Sequence, residues 1–147
     1  MKKIIFVCHG SICRSPAAEM IAKHYLKQIG RDNEFLVTSL AVSFEEYGND
    51  IYPPMKRELF SRGIPMDRHS ANRISQKDYD EADYVFYMDD SNLRYLKSML
   101  NPPYNKLFPI NVYSKNIPYI EDPWYSDRYA LVVDEIAECI KDIFNNI

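Results

Sequence analysis

A thiol and a guanidinium stand six residues apart near the start of the chain, within the sequence CHGSICRS at residues 8–15. A thiolate is a strong nucleophile, and the planar fork of an arginine can bind two oxygens of one phosphate group. Gly10 gives the backbone the freedom to wrap, so that several N–H groups can converge on an anion. Cys8 and Arg14 therefore predict a phosphate-binding loop with a cysteine nucleophile and an arginine clamp.

The elements on either side of this sequence explain why it should bind an anion. Residues 4–7 are a continuous apolar run, typical of a central parallel strand. Ser15 and Pro16 predict a helix start, with the Ser15 hydroxyl as N-cap and proline at the first helical position. Ligands of open α/β sheets bind beyond the carboxyl ends of strands, where a helix N-terminus offers unpaired N–H groups. A thiol at this turn is expected to be ionised at neutral pH, and the Ser15 hydroxyl to donate to its sulfur.

The remaining sequence alternates short apolar runs with helical patterns, which predicts an α/β fold with a parallel sheet covered by helices on both faces. With 147 residues and no repeat or linker, the chain fits one domain, residues 1–147. The predicted strands are residues 4–7, 35–38, 84–88 and 106–110. The predicted helices are residues 15–30, 55–62, 76–81, 91–100 and 127–144, and residues 44–54 and 116–126 are predicted loops.

Composition excludes several other classes of protein. A net charge of −3 gives no reason to expect a nucleic-acid or anionic-membrane partner. No uncharged apolar run approaches the roughly 18 residues of a membrane-spanning helix, and the first apolar run is too short for a signal peptide. The three cysteines and three histidines are too sparse and scattered for a disulfide framework or a zinc site. We therefore expect a cytoplasmic monomer that uses no metal and no cofactor.

Two segments in this order resemble the low-molecular-weight protein tyrosine phosphatases. Residues 7–16, VCHGSICRSP, are similar to the family's active-site loop, and residues 122–125, DPWY, match its Asp-Pro-aromatic-Tyr segment. Residues 88–92, MDDSN, Ser39 and His69 match further family positions. The resemblance covers essentially the whole chain and implies a four-stranded parallel sheet flanked by helices. It also implies phosphotyrosine proteins or small aryl phosphates as substrates and inorganic phosphate as a product.

The general acid cannot be chosen from composition, because the chain has 21 acidic residues. A phosphate ester needs a proton on its leaving oxygen. Asp122 is a candidate because Pro123 stiffens its segment, and the aromatic residues after it provide apolar walls that favour a protonated carboxyl group. The pattern alone also fits a turn aspartate before proline. The resemblance implies that Cys8 forms a cysteinyl-phosphate and that Asp122 first protonates the leaving group and then deprotonates the attacking water.

The surroundings of the phosphate can also be predicted, and for Ser39 and His69 the resemblance supplies the role. Trp124 is expected to form one wall of an aromatic slot, with His9, Phe44 or Tyr47 on the other side. The residues expected to contact phosphate or substrate are His9, Gly10, Ser11, Ile12, Cys13, Ser15, Trp124 and Tyr125. Ser39 and His69 are expected to brace the loop by hydrogen bonds. Cys139, within the last predicted helix, is expected to be a packed core thiol.

Two properties of the loop itself are also expected. Oxidation should join Cys8 and Cys13, which lie in the same tight loop, in a reversible disulfide. The wrap should require a left-handed backbone conformation near Ser11, where the family usually has asparagine.

Three other functions share parts of this pattern. An arsenate reductase of the same fold needs two further cysteines in the middle of the chain, and none stands between Cys13 and Cys139. A protein-arginine phosphatase has a small polar residue where this chain has Ile12. An inactive phosphotyrosine-binding module is disfavoured because the nucleophile, the clamp and the acid are all present.

Overall fold

The computed structural model describes residues 1–103 and 105–147, whose strands form a four-stranded parallel sheet in the order β2-β1-β3-β4. The strands are β1 (Lys2–Cys8), β2 (Phe35–Ala41), β3 (Tyr84–Tyr87) and β4 (Leu107–Pro109). The helices are α1 (Arg14–Gln28), α2 (Pro53–Ser61), α3 (Gln76–Glu81), α4 (Asp90–Met99), α5 (Pro123–Ser126) and α6 (Tyr129–Phe144). The predicted α/β fold is confirmed.

The strand order places the end of β1 at a natural ligand crevice. β1 pairs with β2 on one side and with β3 on the other, and Cys8 is in register with Ala41. The chain thus continues first to one side of β1 and then to the other, which makes the carboxyl end of β1 a topological switch point. Residues 8–15, which we call the cysteine loop, begin at this end of the strand.

The sheet is covered on both faces because the side chains of β1 alternate between them. Phe6 belongs to a large apolar cluster with α1, α2 and α6, whereas Val7 belongs to a smaller cluster with residues of α3 and α4. Both clusters consist of nearly inaccessible side chains. The helices predicted on both faces are therefore confirmed, and the cysteine loop is held between two packed layers.

Two predicted boundaries are wrong in ways that matter for the site. Helix α1 begins at Arg14 with Cys13 at the N-cap, so Ser15 lies in the first turn and does not cap the helix. Its hydroxyl cannot serve as a cap because it contacts the cysteine loop and the Leu40 carbonyl instead. Residues 123–126, predicted as loop, form the short helix α5, and α6 begins at Tyr129 after Asp127 in a left-handed conformation. None of the helices in residues 1–103 and 105–147 is long and apolar enough to cross a membrane.

Candidate active site

The cysteine loop wraps around the sulfur of Cys8. The backbone N–H groups of Ser11 and Ser15 donate to Cys8 Sγ at 3.2 and 3.4 Å. Ser11 has a φ of 57°, which confirms the expected left-handed conformation. Gly10, in contrast, is not among the residues with positive φ; a Cβ there would lie 3.0 Å from Glu46 Cγ. Gly10 therefore allows a close approach of the Glu46 side chain, and the unusual backbone angle falls on Ser11.

Two hydroxyl groups form a short chain beneath the sulfur. Ser11 Oγ lies 2.8 Å from Ser15 Oγ, which in turn lies 3.3 Å from Cys8 Sγ. Ser15 Oγ can also donate to the Leu40 carbonyl at 3.3 Å. Both serine side chains are inaccessible to solvent. A serine has only one hydroxyl hydrogen. Which atom donates in each of these hydrogen bonds therefore depends on whether the sulfur is protonated.

Arg14 is buried and held on one side by fixed acceptors. Its Nη1 donates to Asp89 Oδ2 at 2.6 Å and to the Ile120 carbonyl at 2.8 Å, and its Nη2 lies 3.7 Å from Asp122 Oδ2. Burial alone would lower the pKa of Arg14, but the negative charges of Cys8, Asp89 and Asp122 outweigh it and raise the pKa above its ordinary value. The guanidinium is therefore a fixed positive charge.

Asp89 contacts Arg14, and sequence reasoning gave this aspartate no role. It is the N-cap of α4, where its Oδ1 accepts the backbone N–H of Asn92 at 2.9 Å, while its Oδ2 holds Arg14. One carboxylate thus starts a helix and orients the guanidinium. The available signal was its position directly after the third predicted strand, at the sheet edge that carries the cysteine loop.

Residues 122–125, which we call the DPWY segment, form the opposite side of the site. Asp122 is the N-cap of α5, and its Oδ1 accepts the backbone N–H of Trp124 at 3.1 Å. Pro123 is buried, whereas Trp124 and Tyr125 are 52% and 85% exposed. The ring of Trp124 lies 4.9 Å, between centroids, from the ring of Tyr52. Most of this segment is therefore a surface element.

The two segments enclose one cavity of about 170 Å³. Its lining includes every predicted substrate-contacting residue except Ser15, which lies beneath the sulfur. The predicted residues in the lining are Cys8, His9, Gly10, Ser11, Ile12, Cys13, Arg14, Asp122, Trp124 and Tyr125. Glu45 and Glu46 complete the lining. Sequence reasoning missed these two carboxylates because they lie in a predicted loop with no recognisable pattern.

His69 and Ser39 differ in their relation to the cysteine loop. His69 Nε2 lies 2.6 Å from the Ser11 carbonyl oxygen, which can only accept, so this nitrogen carries the hydrogen. Ser39 does not bond to the loop as expected: its hydroxyl donates to Glu19 Oε1 at 2.6 Å, and Glu19 also binds Lys23. The alternation of side chains along β2 turns Ser39 toward α1, so it connects this strand to the helix.

The second wall of the cavity is formed by His9. Its Nε2 lies 3.0 Å from Glu45 Oε2, and its ring packs edge-on against Tyr95 at 5.5 Å between centroids. Phe44 and Tyr47, the other two candidates, are absent from the cavity lining and pack against each other. Of the three alternatives that the sequence left open, the geometry favours His9.

The two remaining cysteines are uncharged thiols, and burial is the main cause of the raised pKa in both. Burial, followed by the negative charges of Cys8 and Asp122, raises the pKa of Cys13 to about 12. Cys139 is fully buried within the α6 face of the large cluster, as expected for a core thiol. Within residues 1–103 and 105–147, no group of three His, Cys, Asp or Glu side chains is arranged to hold a metal ion.

Comparisons of the sequence and of the fold with known proteins point to the same family. Residues 3–147 match the sequence model of the family described as low molecular weight phosphotyrosine protein phosphatase. The chain is 36% identical over 149 residues to the human protein of that name, covering 95% of this chain and 92% of the human one. It is 33% identical over 150 residues to the chicken protein, covering 96% and 92%. The crystal structure of YfkJ from Bacillus subtilis superposes with a TM-score of 0.94 at 26% identity, covering 100% of this chain and 94% of that one.

Proposed function

The chain belongs to the low molecular weight phosphotyrosine protein phosphatase family, and we propose that it hydrolyses phosphotyrosine in proteins through a cysteinyl-phosphate on Cys8. One observation carries this mechanism: the sulfur of Cys8, the guanidinium of Arg14 and the carboxyl group of Asp122 face a single cavity. Small aryl phosphates fit the same chemistry, because only the phosphate and its aromatic leaving group enter the reaction.

In the first step, the sulfur of Cys8 attacks phosphorus opposite the leaving tyrosine oxygen. The N–H groups of the cysteine loop and the fork of Arg14 hold the three equatorial oxygens, where the transition state carries its charge. The S–P bond forms as the P–O bond breaks, and Asp122 transfers its proton to the departing oxygen. The incoming phosphate competes with Asp122 for Nη2 of Arg14, which lies 3.7 Å from Asp122 Oδ2 in the free protein.

In the second step, water replaces the cysteine. Asp122 takes a proton from the water, whose oxygen attacks phosphorus while the S–P bond breaks and the electron pair returns to the sulfur. The two serine hydroxyl groups then orient their hydrogens toward the thiolate: Ser11 donates to Ser15, and Ser15 donates to the sulfur. Inorganic phosphate leaves, and the free enzyme is restored with no metal taking part.

The walls of the cavity support an aromatic leaving group. Trp124 and His9 stand on opposite segments of the lining, and Ile12 adds an apolar surface at the loop. A flat ring between such walls carries its phosphate down to Cys8, whereas the shorter side chain of phosphoserine brings its polypeptide backbone against the rim. The same apolar surface at Ile12 disfavours the more polar phosphoarginine.

The decisive experiment compares initial rates on matched phosphotyrosine, phosphoserine and phosphoarginine peptides, with the Cys8→Ser variant as blank. We expect turnover on the phosphotyrosine peptide and blank-level rates on the other two. Faster release from phosphoarginine would instead assign the chain to protein-arginine phosphatases. Stoichiometric binding of the phosphotyrosine peptide without turnover would support an inactive binding module.

We also propose that oxidation inactivates the enzyme reversibly through a bond between Cys8 and Cys13, in a reducing compartment such as the cytosol. Peroxide converts the Cys8 thiolate to a sulfenic acid; the Cys13 thiol then attacks this sulfur, and water leaves. Cys8 and Cys13 line the same cavity, and burial first, then the negative charge of Cys8, raise the pKa of Cys13 to about 12.

This redox proposal is tested by mild peroxide treatment followed by mass spectrometry and reduction. We expect the 8–13 pair in the wild type and a smaller recovery of activity in Cys13→Ser. Cys139→Ala, which removes a thiol in α6 outside the cavity, serves as control. Equal recovery in all three proteins is incompatible with a protective disulfide.

A further inference from the structure

Tyr52 contacts both halves of the cavity. Its backbone N–H donates to the Ile12 carbonyl of the cysteine loop at 2.8 Å. Its ring packs against Trp124 of the DPWY segment, with centroids 4.9 Å apart and planes tilted by 54°. One residue therefore touches the cysteine loop through its backbone and the opposite wall through its side chain.

The backbone of Tyr52 is firmly anchored. Tyr52 is the N-cap residue of α2, and its carbonyl accepts the N–H groups of Met55 and Lys56 at 2.9 and 3.0 Å. Its neighbour Ile51 and the first-turn residue Met55 are both buried in the large apolar cluster. The ring of Tyr52 thus projects from a fixed point of the fold.

The DPWY segment has much less support of its own. Helix α5 has four residues, which is too short to be stable without external contacts. Pro123 is buried, but the exposed Trp124 supplies both the backbone N–H that binds Asp122 and the ring that packs on Tyr52. The orientation of the Asp122 carboxyl group therefore depends on where Trp124 is held.

We infer that Tyr52 is a positioning residue, which holds Trp124 and through it fixes the Asp122 carboxyl group over the cysteine loop. This inference rests on the proposed role of Asp122 as general acid. The contact between Tyr52 and Trp124 thus affects proton transfer by Asp122, although Tyr52 is absent from the cavity lining.

Trp124 provides a readout that needs no turnover, because it is the single tryptophan of the chain. In Tyr52→Ala we expect red-shifted tryptophan emission and stronger acrylamide quenching, because the indole loses its packing partner. Tyr52→Phe keeps the ring and should behave as the wild type. Tyr47→Ala is the matched control, since Tyr47 is an exposed tyrosine that packs on Phe44 and lies outside the cavity lining. Unchanged emission and quenching in Tyr52→Ala would show that Tyr52 does not hold Trp124.

Kinetics then decide whether the contact acts through Asp122. Misplacing a catalytic group by about 1 Å can cost about 10²-fold, so Tyr52→Ala should lower kcat on a phosphotyrosine peptide by about 10- to 10²-fold. The loss should be much smaller on p-nitrophenyl phosphate, whose leaving group needs little protonation. Tyr52→Phe should restore the wild-type rate on both substrates.

The double variant Tyr52→Ala/Asp122→Asn completes the test. In the Asp122→Asn background, the tyrosine substitution should change kcat on the phosphotyrosine peptide by less than about twofold, since residues acting as one unit are not additive. The same loss in both backgrounds, or on both substrates, overturns the inference while leaving the enzyme a phosphatase. An inactive wild type would instead contradict the proposed function, and the fluorescence result would still report on the contact.

Discussion

The cysteine loop and the DPWY segment face the same cavity but are built in opposite ways. In the cysteine loop, Ser11 is 0% exposed, its carbonyl binds His69 and its hydroxyl binds Ser15. In the DPWY segment, Tyr125 is 85% exposed, and Trp124 is held by a ring contact and one local hydrogen bond. The first is a rigid part of the core, and the second is a surface element resting against it.

This difference corresponds to what each segment binds in the proposed mechanism. Every substrate presents the same phosphate group, so fixed dipoles and a fixed guanidinium can be arranged in advance, with no reorganisation during the reaction. The leaving group and its surrounding polypeptide vary, and exposed loop residues on a rigid scaffold are suited to that task. Substitutions that affect one segment at a time can therefore test whether the cysteine loop serves the phosphate and the DPWY segment serves the leaving group.

The largest effect should follow from Cys8→Ser, which removes the proposed nucleophile and should leave the loop intact. Loss of a covalent nucleophile costs on the order of 10⁴-fold or more in kcat, because a serine hydroxyl is hardly ionised at this site. The serine oxygen can still accept the N–H groups of Ser11 and Ser15, so the melting temperature should change by only a few degrees. Steady-state kinetics and thermal melts check both statements. Measurable hydrolysis by the pure variant would contradict the cysteinyl-phosphate mechanism.

A smaller, substrate-dependent effect is expected when the acid is removed from the exposed segment. Asp122→Asn should lower kcat on phosphotyrosine by about 10²–10⁴-fold, the typical contribution of general acid catalysis. The loss should shrink on p-nitrophenyl phosphate, because its leaving oxygen is stable as an anion. Asparagine keeps an oxygen that can accept the N–H of Trp124, so the segment should stay folded. If both substrates lose the same factor, Asp122 serves the structure and not proton transfer.

A third substitution tests how far the rigidity of the cysteine loop depends on charge. Asp89→Asn keeps an N-cap for α4 but removes the carboxylate that holds Arg14. A hydrogen bond to a charged group contributes about 1.5–3 kcal/mol, so we expect kcat/KM to fall by about 10-fold or more. The leaving-group dependence should be unchanged, unlike in Asp122→Asn. Asp90→Asn, at the next position of the helix, controls for the loss of one negative charge. An unaltered kcat/KM would show that the Ile120 carbonyl alone orients the guanidinium.

The residue pattern by itself was informative where the determinants are local, whereas Asp122 and His69, which meet the cysteine loop from distant parts of the chain, were expected there because of the family resemblance. The strand, the cysteine loop and helix α1 follow one another directly, so their order alone placed Cys8 and Arg14 at one sheet edge. The partner of Arg14 is 75 residues away along the chain, at Asp89. Tyr52 contacts Trp124 across a similar separation, and no spacing rule connects them. Ser39 was given the wrong partner because a family position does not specify which side chain its hydroxyl meets.

The smallest effect concerns the strain that the rigid loop contains. The φ of 57° at Ser11 lies in the left-handed region, which costs a residue with a side chain roughly 1–2 kcal/mol, whereas glycine adopts it freely. Ser11→Gly and Ser11→Ala both lose the hydroxyl contact with Ser15, so their difference isolates the backbone cost. After the greater entropy of glycine in the unfolded chain is subtracted, Ser11→Gly should be more stable than Ser11→Ala by about 0.5–1 kcal/mol.

The same pair of substitutions at Ser98 provides the control. Ser98 lies in α4, and its hydroxyl donates to the Tyr95 carbonyl at 2.7 Å, so both variants again lose one hydroxyl bond. Ser98 lies in the last turn of α4, where alanine is still favoured over glycine, by up to about 1 kcal/mol, which reverses the order expected at Ser11. Chemical denaturation of the four variants measures both differences. If alanine is also the more stable residue at position 11, the loop relaxes out of its left-handed turn in solution. The cysteine loop would then be as adaptable as the DPWY segment, because the contacts of Ser11 with His69 and Ser15 would not be strong enough to hold it.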